Sequence, residues 1–320
     1  MDESAQSLSR RHFIRSAGSF AAAGLASARA TGVYIALDSQ DRVGNASVRW
    51  AVAELKQILT ERGLNVILCE TAAQASSGSL CIVAAGSNSN VAGAILSQSR
   101  LTVAEVPEAL AVVPARMENK NVLLVCGHDS RGLVYGLLDL ADRVQNSGEP
   151  LTALMIQNPF AEQPSNTVRS VTRLFTSDVE DKPWYNDREM WPRYLSVLAT
   201  QRFNRFNLAL GIGYDFIRRV TDAYFLFSYP FLLSVPGYNV HSPQLPDSER
   251  DSNLRMLKFI SEQTVARGME FQLGLWMHGY EWIDSPKANY TIEGITKENH
   301  GHIAVMLCAC YYRSVRPSAA

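Results

Sequence analysis

The sequence has almost no net charge, no long unbroken apolar run and no cysteines at metal-ligand spacing, and each shortage removes a class of function. Its 30 Lys and Arg stand against 31 Asp and Glu, a net charge of −1, which leaves no electrostatic footprint for nucleic acid or an anionic membrane. Small neutral or mixed-charge ligands are the partners that such a balance favours. The most apolar stretch, AYFLFSYPFLLSVPG, is interrupted by Ser228, Tyr229, Pro230 and Pro236 and falls short of the roughly 20 apolar residues that a membrane span needs. No repeat with a solenoid-like period is visible. Cys69, Cys81 and Cys126 each sit in an apolar strand-like run, where a lone thiol behaves as a small buried hydrophobe; a disulfide between two of them is possible in an oxidising compartment. Cys308 and Cys310 have only His300 and His302 near them, which lacks the spacing of a structural zinc site. The glycines at 86 and 93 in AAGSNSNVAGAI miss the G-x-G-x-x-G spacing that lets backbone approach a pyrophosphate. No metal or cofactor is therefore expected, and a cofactor-dependent oxidoreductase is the least supported class.

What is present begins with residues 1–30. Arg10 and Arg11 precede Phe13 and Ile14, a mildly apolar Ala/Gly-rich run follows, and Ala28-Arg29-Ala30 ends it in an A-x-A cleavage pattern. This order resembles a bacterial twin-arginine export signal. It implies the twin-arginine export machinery as a partner and a periplasmic or secreted location.

The remaining length suffices for two domains. Over 31–150 short apolar strands (GVYIALD, NVILCE, SLCIVAAG, ALAVVPAR, NVLLVCG) alternate with helical patterns. One helix places Val48, Ala51, Val52, Leu55, Ile58 and Leu59 on one face and stops at Gly63; another starts at Asp129 as N-cap and buries Leu133, Val134, Leu137, Leu138 and Leu140. Two helices against about five strands make a small α+β layer. Residues 151–167, with QNPFAEQPSN at their centre, read as a linker. From 168 to 300 a βα rhythm follows: TVRSVTRLF, FNRFNLALGI and MEFQLGLWMH as strands, with REMWPRYLSVLATQR and SERDSNLRMLKFISEQTVARG as helices. Apolar strands alternating with helices argue a parallel sheet, doubly wound or a (β/α) barrel, with its ligand site at the C-terminal strand ends.

The order of parts, and D-x-x-G-x-x-Y-G in the helix SRGLVYGLLDLADRV, resemble the β-N-acetylhexosaminidase and α-glucuronidase types of glycoside hydrolase. In those enzymes a small non-catalytic α+β domain (chitobiase domain 2-like) precedes a (β/α)8 TIM barrel. The resemblance implies an α/β fold of that kind, here with a partial barrel, and an oligo- or polysaccharide as partner. It carries four positions as sugar contacts: Arg169 at the opening of strand one, Asn207 on strand two, and Trp276 and His278 on strand three. A guanidinium supplies parallel donors to vicinal hydroxyls; a structural ion pair at the barrel base is the other role open to Arg169. Trp282 could offer a ring face, and Asp178 and Asp215 read as loop caps. The segments NLALGIGYDF and GLWMHGYEW lack the acids that hexosaminidases carry near these points, so the broader glycoside-hydrolase class is the expectation.

Glycoside hydrolysis needs two carboxyl groups, or one with an assisting acetamido group. About three βα units follow residue 166, where a whole barrel takes roughly 250 residues. Residues 301–320 have neither period nor caps and are expected to be an out-of-frame tail, with the chain truncated before its acid/base and inactive. A non-catalytic carbohydrate-binding protein is the second reading.

Overall fold

The fold was obtained as a computed structural model, and the structure describes residues 32–38, 46–117, 119–175, 178–210, 240–241, 246–275 and 291–292. The elements of the first half are β1 (Val33–Leu37), α1 (Ala46–Glu61), β2 (Val66–Cys69), β3 (Leu80–Gly86), α2 (Asn90–Ser99), β4 (Leu110–Met117), β5 (Lys120–Gly127), α3 (Ser130–Asn146), α4 (Pro150–Ala153) and β6 (Phe160–Glu162). They build a six-stranded sheet in the order β2-β1-β3-β5-β4-β6. Strands β2, β1, β3 and β5 run parallel; β4 is antiparallel to β5 and to β6.

The helical spacing read in the sequence is the spacing that is buried. Helix α1 inserts Val48, Ala51, Val52, Leu55 and Leu59 beside α3, which buries Leu133, Val134, Leu137, Leu138, Leu140, Ala141 and Val144 on the same side of the sheet. The other side is covered by α2 through Ala92, Ile95 and Leu96, packed on Cys81, Val83, Ala85 and Cys126. Covered on both faces, β3 has no polar alternation to show. The three described cysteines are free thiols, and burial pushes Cys81 and Cys126 up to about 12.

Two features depart from the sequence reading. Helix α2 is an element of its own: Ser89 caps it by accepting from the Ala92 amide, and it ends at Arg100 in the left-handed region. The stretch expected to be a linker holds α4 and β6, and β6 hydrogen-bonds along β4 from Leu110 to Val112. Pro114 lies beyond the end of that pairing, on the stretch of β4 where a missing N–H costs no ladder bond.

The second half comprises β7 (Ser170–Leu174), α5 (Asp178–Tyr185), α6 (Met190–Thr200), β8 (Arg205–Leu210), β9 (Val240–His241), α7 (Asp247–Ala266), β10 (Glu270–Leu275) and β11 (Thr291–Ile292). Strands β7, β8 and β10 form a parallel sheet in the order β10-β8-β7, and β9 pairs with β11 antiparallel. Helices α6 and α7 pack behind the parallel sheet and against α3 and α1. Trp191, fully buried, is the centre of an aromatic cluster with Trp184, Tyr194 and Phe206, and its indole donates to the Tyr185 carbonyl at 2.9 Å. One continuous core thus runs from the first sheet through α1 and α3 into the second half. The architecture is mixed α/β with parallel strands in both halves; the described parallel strands of the second half form a sheet of three.

Candidate functional site

Strand register assigns the two faces of the β7–β8–β10 sheet. Val171, Phe206, Leu208, Phe271 and Leu273 belong to the core against the helices, and the Arg173 guanidinium stacks 4.0 Å from the Trp184 ring on that same side. Side chains alternate along a strand, so the other face carries three rows. Ser170, Arg205 and Glu270 make the row at the N-terminal edge, Thr172, Asn207 and Gln272 the middle row, and Leu174, Ala209 and Gly274 the row at the C-terminal edge.

The middle row is polar throughout. The Asn207 amide nitrogen donates to Thr172 Oγ1 at 3.3 Å, while its Oδ1 is buried and without a hydrogen-bond partner among the described residues. An orphan acceptor of this kind costs about 1–3 kcal/mol, so it marks a position kept for something other than stability. Gly274 packs closely beside it: a Cβ there would stand 3.4 Å from Asn207 Oδ1 and 3.2 Å from the Ala209 Cβ, the latter closer than ordinary van der Waals contact.

The N-terminal edge is closed by the first half of the chain. Glu108, with its side chain 4% exposed and its backbone at φ 68°, accepts from Arg131 at 3.0 Å, from Asn204 at 2.8 Å and from Arg169. Arg169 stands just before β7; its Nε donates to the Arg202 carbonyl at 2.6 Å and its Nη1 to the Asn166 carbonyl at 2.7 Å. Arg131 also reaches Glu270 at 3.3 Å, and Arg205 holds Glu270 at 2.7 Å. Tyr135 donates to the Phe203 carbonyl at 3.4 Å, and its hydroxyl is pushed up to about 12 by burial and then by the Glu108 charge. Each of the three strands is tied to the first half at its N-terminal end.

The D-x-x-G-x-x-Y-G pattern of α3 builds this junction. Asp129 caps the helix with Oδ1 at 2.8 Å from the Gly132 amide, and its Oδ2 accepts from the Glu108 amide at 3.1 Å. Gly132 lets the helix start lie directly on the Ala109 backbone, and Gly136 does the same against Val125.

Hydrogen bonds from Arg205 and then from Arg131 hold the Glu270 carboxyl below the usual carboxylate range. A depressed folded value means that the stabilisation is whole above the unfolded value, about 4.3 for glutamate, and fades as pH falls through the folded one. The urea-midpoint difference between wild type and Glu270→Gln is therefore expected to be constant above about pH 5 and to shrink toward zero below about pH 4. A difference independent of pH would show that the carboxylate charge plays no part.

Of the residues singled out in the sequence, the structure brings Asn207 onto the polar face of the β7–β8–β10 sheet, in the middle of its strand. It places Arg169 at the opposite, N-terminal edge, where the contacts present are those of the ion pair. Trp276, His278, Trp282 and Asp215 lie outside the described residues, as do Arg10 and Arg11 and the tail 301–320; Asp178 opens α5. Thr172 and Gln272 were missed, although a signal existed: SVTRL, RFNLAL and EFQLGL each put one uncharged polar side chain at matching positions of an alternating strand. Glu108 had no such signal, because its partners lie 23 to 96 residues away.

No protein-family model and no curated protein matches the sequence. Among solved structures, a GH138 enzyme targeting pectin rhamnogalacturonan II matches with a TM-score of 0.53 and 18% identity, covering 79% of this chain and 33% of that one. The fold is similar to that of part of this enzyme. Two further structures match more loosely: CpGH84D, with TM-score 0.47, 10% identity and coverage of 88% and 38%, and CpGH84B, with TM-score 0.43, 14% identity and the same coverage. The chain spans about a third of the length of the structures that it matches.

Proposed function

We propose that this chain is an exported protein of carbohydrate metabolism, of glycoside-hydrolase type, that takes an oligo- or polysaccharide on the open face and C-terminal edge of the β7–β8–β10 sheet. The observation that carries the reading is the Thr172–Asn207–Gln272 row, with the Asn207 Oδ1 acceptor unpaired, on a fold shared with a GH138 enzyme. A sugar hydroxyl donating to that oxygen would remove the desolvation penalty. The neighbour's target suggests pectin-derived chains as the first substrates to try. The twin-arginine pattern at Arg10 and Arg11 supports delivery to the periplasm or beyond, where such polymers are met.

Binding without turnover is favoured by one further observation. Among the described residues the open face has a single carboxylate, Glu270, which sits at its base and is held by Arg205 and Arg131, and the C-terminal row of Leu174, Ala209 and Gly274 has none. Hydrolysis with two carboxyl groups asks for a pair about 5–9.5 Å apart.

Calorimetry of the full chain against rhamnogalacturonan II fragments and neutral oligosaccharides tests the reading. Binding in the micromolar to millimolar range is expected for at least one, with Asn207→Ala weakening it about tenfold, the worth of one buried hydrogen bond. Aryl glycosides are expected to stay uncleaved. Failure of every saccharide to bind a folded sample removes the proposal, and robust aryl glycoside release removes its non-catalytic form.

A further inference from the structure

A second cavity lies in the first half of the chain, outside the face just described. It opens at the carboxyl ends of β3 and β5, has a volume of about 390 Å³, and is bounded by the β3–α2 loop, one side of α2, the 101–105 segment and His128. The carboxyl ends of parallel strands are where open α/β sheets take their ligands.

Asn88, Ser97, Arg100, Thr102, Glu105 and His128 line it, and no side chain of these six makes a hydrogen bond or ion pair with another described residue. Arg100 and Glu105 are the telling pair. Both are exposed and make no ion pair with another described residue, so the wall offers donors on Arg100, Asn88 and His128 and an acceptor on Glu105. Leu96, Leu101 and Val103 supply an apolar floor.

We infer that this cavity is a binding site for a neutral polyhydroxylated ring, one monosaccharide unit in size. The charge pattern disfavours a simple ion: an anion such as phosphate drawn to Arg100 is opposed by Glu105, and a cation drawn to Glu105 is opposed by Arg100. A sugar hydroxyl both donates and accepts, so adjacent hydroxyls satisfy Glu105 and Arg100 together while the C–H face of the ring rests on the leucine and valine side chains. The inference goes beyond the reading of the β7–β8–β10 face and does not depend on it, since neither Asn207 nor its row takes part.

The test is an amide NMR titration of the full chain with methyl glucoside, methyl galactoside and methyl rhamnoside, and with inorganic phosphate as the charged control. Saturable shifts at Ser87, Gly93, Thr102 and His128 are expected with at least one glycoside, at a Kd on the order of millimolar. Glu105→Gln and His128→Ala, both at partly or fully exposed positions where folding is not at stake, are each expected to weaken it at least about fivefold, the loss of one net hydrogen bond. Asn207→Ala is expected to leave these shifts unchanged, which separates this site from the other. Absence of saturable shifts up to about 50 mM, an energy below any built site, or a response to phosphate in place of the glycosides, overturns the inference.

Discussion

Glu108→Ala is expected to destabilise the folded chain by about 3–5 kcal/mol, the cost of breaking a buried ion pair from one side. The carboxylate is the common acceptor for Arg131, Arg169 and Asn204. Its removal leaves the half-buried Arg131 and Arg169 guanidinium groups beside each other without the buried carboxylate they share, and Asn204 without its acceptor, which is why the loss exceeds that of a surface pair by several-fold. Alanine also keeps the left-handed backbone strain at φ 68° without the contacts that hold it. At roughly 2–4 °C per kcal/mol for a chain of this size, the melting temperature should fall on the order of 10 °C. Glu108→Gln should retain the Arg131 and Asn204 geometry in part and lose less. A shift below about 2 °C for the alanine variant, within the range of surface changes, would show that the junction carries no such load.

Gly132→Ala separates local preference from packing by the sign of its effect. A glycine in the first turn of a helix is worse than alanine by up to about 1 kcal/mol, so α3 taken alone would gain from the change. The added Cβ, however, would stand 2.3 Å from the Ala109 carbonyl oxygen and 3.1 Å from its carbon. These are backbone atoms of the residue that joins Glu108 to β4, and they cannot swing aside as a side-chain tip can. Overpacking of this sort costs about 1–3 kcal/mol and sometimes more, and here it pushes α3 off the loop that presents Glu108. Net destabilisation of about 2 kcal/mol or more is expected in urea unfolding followed by tryptophan fluorescence. A more stable variant would mean that the helix start does not rest on Ala109 as described.

The two substitutions probe the same junction, so their effects should not add. Glu108 and Gly132 are linked through Asp129, which bonds to both amides, and neighbours of this kind couple by about 0.5–3 kcal/mol.

The consequence for function is geometric. With the N-terminal ends of β7, β8 and β10 tied down by Arg169, Asn204, Arg205 and Glu270, the proposed saccharide site falls on the opposite edge and on the Thr172–Asn207–Gln272 face. The first half of the chain would then serve as a footing that presents that row.

Much of this organisation was legible residue by residue. Val48 to Leu59 and Leu133 to Val144 announce their helices because burial of one face imposes a period of 3.6, and Asp129 announces a cap because a carboxylate satisfies free amides. The alternation in RFNLAL and EFQLGL fixes which side chains share a face before any partner strand is known. Helix α2 escaped notice because Asn90–Ser99 is short and sets only Ala92, Ile95 and Leu96 to bury among Asn, Gly, Ser and Gln. Strand β6 escaped because three residues among prolines and polar groups have no period, and only β4 gives them a reason to be extended.

What the sequence by itself determined is therefore the longer helices, the strands with a clear pattern and the side chains each can bury, since these follow from periodicity and capping within a dozen residues. Only the tertiary structure decided that Arg169 faces Glu108 at the base of the sheet, that Asn207 stands between Thr172 and Gln272, and that five polar side chains ring a cavity together with His128. Each of those facts joins residues far apart in the chain. Their association rests on strand order, helix packing and the burial of one shared carboxylate, none of which leaves a mark in any local stretch.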